Sequence, residues 1–240
     1  MSANRSDINA LALFSRQMMV EEIGYQGQEK INKARVLVIG AGGLGCPILQ
    51  YLSSCGVGTI GIVDFDTVEV HNLHRQILYG IEDVGKQKAL IAREKLNTMY
   101  PYLQIIPFNE ILNEQNAETI ISQFEMVVDG SDNFHTRYLI NDTCLALNKP
   151  LVYGSILNFS GQLSVFNHKG SKNLRDIFPE APDAADVPNC DENGVLGALP
   201  ATIGSMMALE TLKLILDLPV LTNQLLTIET LNWDLKKIRY

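Results

Sequence analysis

The chain has 240 residues, with 19 Lys and Arg against 27 Asp and Glu, a formal net charge of −8; 46% of it is hydrophobic and 19% charged. This is globular composition, and it argues against a nucleic-acid surface held by phosphate contacts and against a polybasic membrane anchor. A chain of this length buries one sizeable core, so residues 1–240 are expected to form a single domain.

The first strand is Arg35-Val-Leu-Val-Ile-Gly40, a short apolar run ending at glycine, as in a strand covered on both faces. A helix is expected from about Leu44 to Ser54, then a strand over Thr59–Asp64 and a helix from Lys86 to Thr98. Leu103–Phe108 reads as a strand, placed at a sheet edge by Pro107. Helix Glu114–Gln123, strand Met126–Asp129, helix Asn133–Leu147 and strand Leu151–Ser155 follow, with Ser131 or Asp132 as the expected cap of the Asn133–Leu147 helix. The alternation over residues 35–155 predicts an open, Rossmann-like α/β sheet, mostly parallel, with helices on both faces. Beyond it, Gly161–Phe166 reads as an antiparallel strand, 168–194 as a long loop, and a helix is expected after Pro200. Two short strands near Leu225–Glu229 and Leu235–Tyr240 complete an antiparallel C-terminal extension.

None of the four cysteines, Cys46, Cys55, Cys144 and Cys190, forms a CxxC pair. A disulfide framework is therefore not expected, and a reducing, cytoplasmic compartment is. The first residues lack a signal pattern, and no apolar run reaches the length of a membrane span.

Gly40-Ala-Gly-Gly-Leu-Gly45 follows the first strand and opens a helix, so Gly40, Gly42, Gly43 and Gly45 allow backbone N–H groups to approach a phosphate. Asp64 ends the next strand, where a carboxylate reaches ribose hydroxyls. Alone, these features suit NAD. Asn72, Arg75 and Gln76 then form a polar cluster, Lys88 stands at what is expected to be the exposed start of a helix, and Asp132 and Asn133 follow the Met126–Asp129 strand. Fixed cations suit departing pyrophosphate better than hydride transfer, and Asp132 suits Mg²⁺ between phosphates.

Phe14-Ser-Arg-Gln17, Gly40–Gly45, Asp64-Phe-Asp66, Asn72-Leu-His-Arg-Gln76, Gly85-Lys-Gln-Lys88 and Asp129-Gly-Ser-Asp-Asn133, in this order, resemble the ThiF/MoeB/HesA family, bacterial relatives of ubiquitin-activating enzymes. The resemblance implies binding of ATP and Mg²⁺ and adenylylation of the C-terminal glycine of a ubiquitin-like sulfur carrier in molybdopterin or thiamine biosynthesis. It implies that the glycines line the phosphates, that Asp64 holds the ribose, that Arg75 and Lys88 neutralise phosphate charge, and that Asp132 holds Mg²⁺. Asp66, Asn72, Gln76 and Asn133 complete the implied nucleotide set. Arg16 is implied to reach into the neighbouring subunit of a homodimer, and residues 156–240, with their loop, to receive the carrier. Sulfur would come from a separate sulfurtransferase.

Cys190 lies where relatives carry an acyl-accepting cysteine, but Asp191 and Glu192 beside it disfavour a thiolate, so a covalent role and its absence both stand. The other cysteines read as packing, and His71, His74 and His135 are given no catalytic role. Relatives' structural zinc uses two CxxC pairs; here Asn173-Leu-Arg-Asp176 replaces the loop pair, so no zinc is expected and the loop is expected to be more mobile. The rival readings are an NAD-dependent oxidoreductase, a non-catalytic nucleotide- or carrier-binding relative, and a family member acting on a tRNA-linked carboxylate.

Overall fold

The computed structural model describes residues 10–182 and 194–240. An eight-stranded sheet runs β3-β2-β1-β4-β5-β6-β7-β8. Its parallel half comprises β1 (Arg35–Ile39), β2 (Thr59–Val63), β3 (Gln104–Phe108), β4 (Met126–Asp129) and β5 (Leu151–Leu157). Its antiparallel half adds β6 (Ser160–Phe166), β7 (Gln224–Glu229) and β8 (Asp234–Arg239). β3 is an edge strand, as Pro107 requires: its missing N–H leaves no ladder bond unmade on the open side.

The central strands are mainly apolar where they face the helix layers, the buried Asp129 at the end of β4 being an exception. Val36, Val38, Ile60, Ile62 and Val128 pack on one face, under α3 (Gly24–Lys33), α4 (Gly45–Ser54), α5 (Lys88–Met99) and α8 (Ala198–Ile215). Leu37, Ile39, Val63 and Val127 pack on the other, under α6 (Ala117–Ile121) and α7 (Phe134–Ala146). The fully buried Phe124 fills the space beside Gly61 in this second layer.

α8 has the length and apolarity of a membrane span, but it is packed between α4 and strands β5 and β6. Its buried Glu210 accepts from Leu221 N at 2.9 Å and pairs with Lys213.

Several expectations are corrected. The cap of α7 is Asn133, whose Oδ1 accepts from Thr136 N at 2.9 Å, and neither Ser131 nor Asp132. The Glu114–Gln123 helix shortens to Ala117–Ile121, because Asn113 and Asn116 spend their side chains on local backbone N–H groups. α8 begins two residues before Pro200, which sits in its first turn where a missing N–H costs no helix bond. α3 and two short helices, α1 (Ala10–Leu13) and α2 (Ser15–Met18), precede the first strand and were not expected from the sequence.

The expected loop from 168 is not free over its first part. Asn173 starts a 3-10 turn, Leu174–Asp176, by accepting from Arg175 N. Arg175 clasps Asp142 of α7 with two hydrogen bonds, 2.8 and 2.7 Å, and lies over the Tyr138 ring. Tyr138 O–H lies 2.9 and 2.8 Å from the Phe178 and Glu180 carbonyls. Asn141 Oδ1 accepts from Leu174 N at 2.9 Å. Cys190 lies outside the described residues.

A β-carbon on Gly61 would stand 2.3 Å from the Phe124 ring and 2.7 Å from Leu37 Cδ1. Gly61→Ala is therefore expected to cost about 1–3 kcal/mol, measured as a lower urea midpoint with an unchanged slope.

Candidate functional site

At the carboxyl edge of the parallel strands, backbone lies directly on backbone. Gly40 leaves β1 at φ +90°, a conformation that favours glycine. A β-carbon on it would stand 2.6 Å from Gly130 O, and one on Gly45 2.0 Å from Gly40 O. The turn between them therefore rests against Gly130 and Ser131, which follow β4, and Asp132 emerges at the same edge. Gly42 and Gly43 face another segment: β-carbons there would lie 3.5 Å from Gln76 Nε2 and 3.7 Å from Arg75 Cδ. Pro200, in the first turn of α8, covers Gly43 at 3.2 Å.

Asp64 locks the turn to the end of β2. Its Oδ2 accepts from Ala41 N at 2.7 Å and its Oδ1 from Asp66 N at 2.9 Å. Burial pushes the Asp64 carboxyl up, against the opposing pull of the Ala41 N–H and the Lys88 charge. Tyr79 O–H donates to Ala41 O at 2.9 Å, tying the turn to the chain ahead of α5.

Lys88 corrects the expectation of an exposed cation. It is buried, only 6% of its side chain being exposed, and its Nζ donates to the half-exposed Asp66 at 3.0 Å. Its ammonium is thereby held beside Asp64 with one partner already in place.

Asn72 builds the polar cluster from within. Its Oδ1 accepts from Glu69 N at 3.1 Å, and its carbonyl accepts from the backbone N–H groups of Arg75 and Gln76. Arg75 Nη1 donates to His71 O at 2.9 Å, with its stem over Gly43. Gln76 is buried, and its Oε1 has no hydrogen-bond partner among the described residues. An unpartnered acceptor beside a glycine turn is open to a ligand or an ordered water.

Asp132 is exposed and accepts no hydrogen bond from the described residues, while Asn133 is engaged as the α7 cap. Among the described residues no group of three or more His, Cys, Asp and Glu gathers as a metal cage. A single free carboxylate beside a phosphate cradle suits Mg²⁺, which is held by one or two carboxylates plus phosphate oxygens.

Arg16 is not brought to this edge. It is exposed on α2, whose Gln17 donates to Cys55 O at the C-terminal end of α4, about 15 Å along the helix from the glycine turn. His74 is held between His71 O at 2.8 Å and Val195 O at 3.1 Å, and His71 and His135 face Glu69 and Glu114. Cys46, in the first turn of α4, donates to Ala41 O, and burial pushes its thiol up to about 12; burial raises Cys55 and Cys144 likewise.

The sequence reading missed Tyr79, the Gly197–Pro200 cover and Arg137. The last is a buried cation four residues after the α7 cap, on a face it shares with Tyr138, Ile140, Asn141 and Cys144, and a full charge at such a position is the signal for it.

Asp64→Ala leaves the Ala41 and Asp66 N–H groups without their acceptor. It is expected to lower stability by about 1–3 kcal/mol, read by urea denaturation.

The model of the ThiF family matches residues 14–240. A sulfur carrier protein adenylyltransferase of Thermus thermophilus is 45% identical over 94% of this chain and 85% of its own length. An adenylyltransferase and sulfurtransferase MOCS3 of Culex quinquefasciatus is 49% identical over 87% of this chain, which spans only 48% of that protein. The crystal structure of E. coli MccB with MccA-N7isoASN superposes with a TM-score of 0.84 at 18% identity, over 97% of this chain and 72% of that one, a likeness of fold alone. With the glycine turn, Asp64, Arg75 and Asp132 meeting at one sheet edge, the chain belongs to the ThiF family.

Proposed function

We propose that this chain adenylylates the C-terminal glycine carboxylate of a ubiquitin-like sulfur carrier, using ATP and Mg²⁺, in molybdopterin or thiamine biosynthesis. The observation that carries this reading is the glycine turn laid against Gly130 and Ser131, next to Asp132 in the chain, which supports a phosphate cradle with a carboxylate at its side. The name of the Thermus relative, which the chain covers almost whole, supports the substrate class.

The turn N–H groups and the α4 N-terminus receive phosphate oxygens. Asp64, already fixed by two backbone N–H groups, presents its carboxylate to the ribose hydroxyls. Gln76 Oε1 offers an acceptor to the same nucleotide. Arg75 swings from His71 O, and Lys88 from Asp66, toward the charge that builds on pyrophosphate. Asp132, with Asn133 beside it, would hold Mg²⁺, which supplies charge neutralisation between phosphates. A carrier carboxylate oxygen then bonds to the α-phosphorus as the bond to the pyrophosphate oxygen breaks. The protein contributes position and field, with no protein nucleophile in this step.

Residues 156–240 form the carrier-binding part, next to the site through β5 and α8. Arg16, far from its own site, acts in the partner's within a homodimer. Cys190 receives the acyl group only if a thioester follows adenylation, and a separate sulfurtransferase provides the sulfur. Free Cys46, Cys55 and Cys144 suit a reducing cytoplasm.

ATP–pyrophosphate exchange tests the reading. Exchange is expected with a carrier ending in Gly-Gly and absent when the last glycine is removed; equal exchange without it would overturn the proposal. Arg16→Ala and Asp132→Ala chains should each be inactive, but random mixing in equal amounts should restore roughly a quarter of wild-type exchange, from the one intact site of each mixed dimer. Because the Asp64 carboxyl is held above its usual range, ATP affinity should fall with decreasing pH earlier than ordinary aspartate titration would dictate, as calorimetry at several pH values would show.

A further inference from the structure

Resting on that reading, we propose that Arg137 is a positioning residue for the nucleotide site: it fixes the turn that carries Asp132 at the point where β4 leaves the sheet. β4 and β5 pair only as far as Asp129 and Tyr153, whereas β5 runs on against β6 to Leu157. The sheet splits here, and carbonyls on both sides of the split need donors.

One guanidinium supplies them. Arg137 Nη2 donates to Ser131 O at 3.0 Å and to Gly154 O at 3.2 Å, and Nε donates to Asp129 Oδ2 at 3.1 Å. The other Asp129 oxygen accepts from Ser131 N at 2.9 Å and Ser131 Oγ at 2.5 Å. The last residue of β4, the residue before Asp132 and the first residue of β5 beyond its pairing with β4 are thus held by one planar fork. The fork lies 5.0 Å from the Tyr153 ring centre.

Stability alone does not call for this arrangement. Both partners are buried, 8% and 0% exposed at the side chain, and a buried ion pair commonly does no better than apolar residues of equal volume. Apolar residues cannot donate to two carbonyls, however, and so cannot set where the Ser131 backbone, and Asp132 after it, stands relative to the glycine turn. Lysine would keep the charge and lose the fork.

The test is calorimetric ATP binding to the full chain, with Mg²⁺ and with EDTA, alongside thermal unfolding. Arg137→Lys and Asp129→Asn are each expected to weaken binding in Mg²⁺ roughly tenfold, as loss of a ligand-orienting partner does, while binding in EDTA stays near wild type. Asp129→Asn preserves shape and one acceptor, so it carries the test if Arg137→Lys does not fold. An R137K/D132N chain should bind no more weakly than D132N alone, since both changes remove the same contribution. Wild-type Mg²⁺ dependence in both single variants, with only a lower melting temperature, would overturn the inference, as would losses that add in the double variant. A wild-type chain that binds no ATP would overturn the functional reading itself, and that result is read without any variant.

Discussion

Gly40 and Gly45 leave no room for a β-carbon, because the carbonyls of Gly130 and Gly40 occupy that space. This contact of backbone on backbone is the constraint on which the site depends. It brings the end of β1 against the end of β4, so that two segments some ninety residues apart in the chain share one edge. Asp64 takes the Ala41 N–H, while those of Gly42, Gly43 and Leu44 donate to none of the described residues and stay open to an anion. Asp64 then converts proximity into rigidity, since its two oxygens fix Ala41 on one side and Asp66 on the other.

Much of this was legible in the sequence. The continuous apolar runs of β1, β2 and β4 can only be strands covered on both faces, and Pro107 can only stand at an edge. The glycine turn and Asp64 announce themselves by position after strands. What was not legible depends on tertiary partners. Lys88 looks like a solvated first-turn lysine until Asp66 and the burial of α5 enclose it. Arg137 carries no local signal of its partners, the Asp129 carboxylate and the Ser131 and Gly154 carbonyls, which come from two separate segments. α3 has two glycines and weak propensity, and it is helical because Ile31 and Gln28 are buried against the rest of the fold.

The segment 173–180 shows how a loop is held by side chains alone. Arg175 and Asp142, Tyr138 and two carbonyls, and Asn141 and Leu174 N bind it to α7 along more than a turn of helix. The Arg175 hydrogen bonds hold the Asp142 carboxyl below the usual aspartate range, so the clasp persists at neutral pH. α7 thereby has two duties: its first turn carries the cap and Arg137 at the nucleotide edge, and its middle anchors the chain leading toward residue 182.

β8 closes the sheet with a strand whose residues are all exposed and whose outer backbone groups face solvent. Such an edge is a template for another strand, and a long flat one invites fibrous growth. Here Lys236, Lys237 and Arg239 stand on it. A second copy docking edge to edge in a register that sets Lys236 against Lys237 brings like charges together, which cross-strand pairing penalises, with Asp234 offsetting part of it. β8 therefore opposes such pairing with its net positive charge. It does so through Coulomb repulsion, and added salt would weaken it.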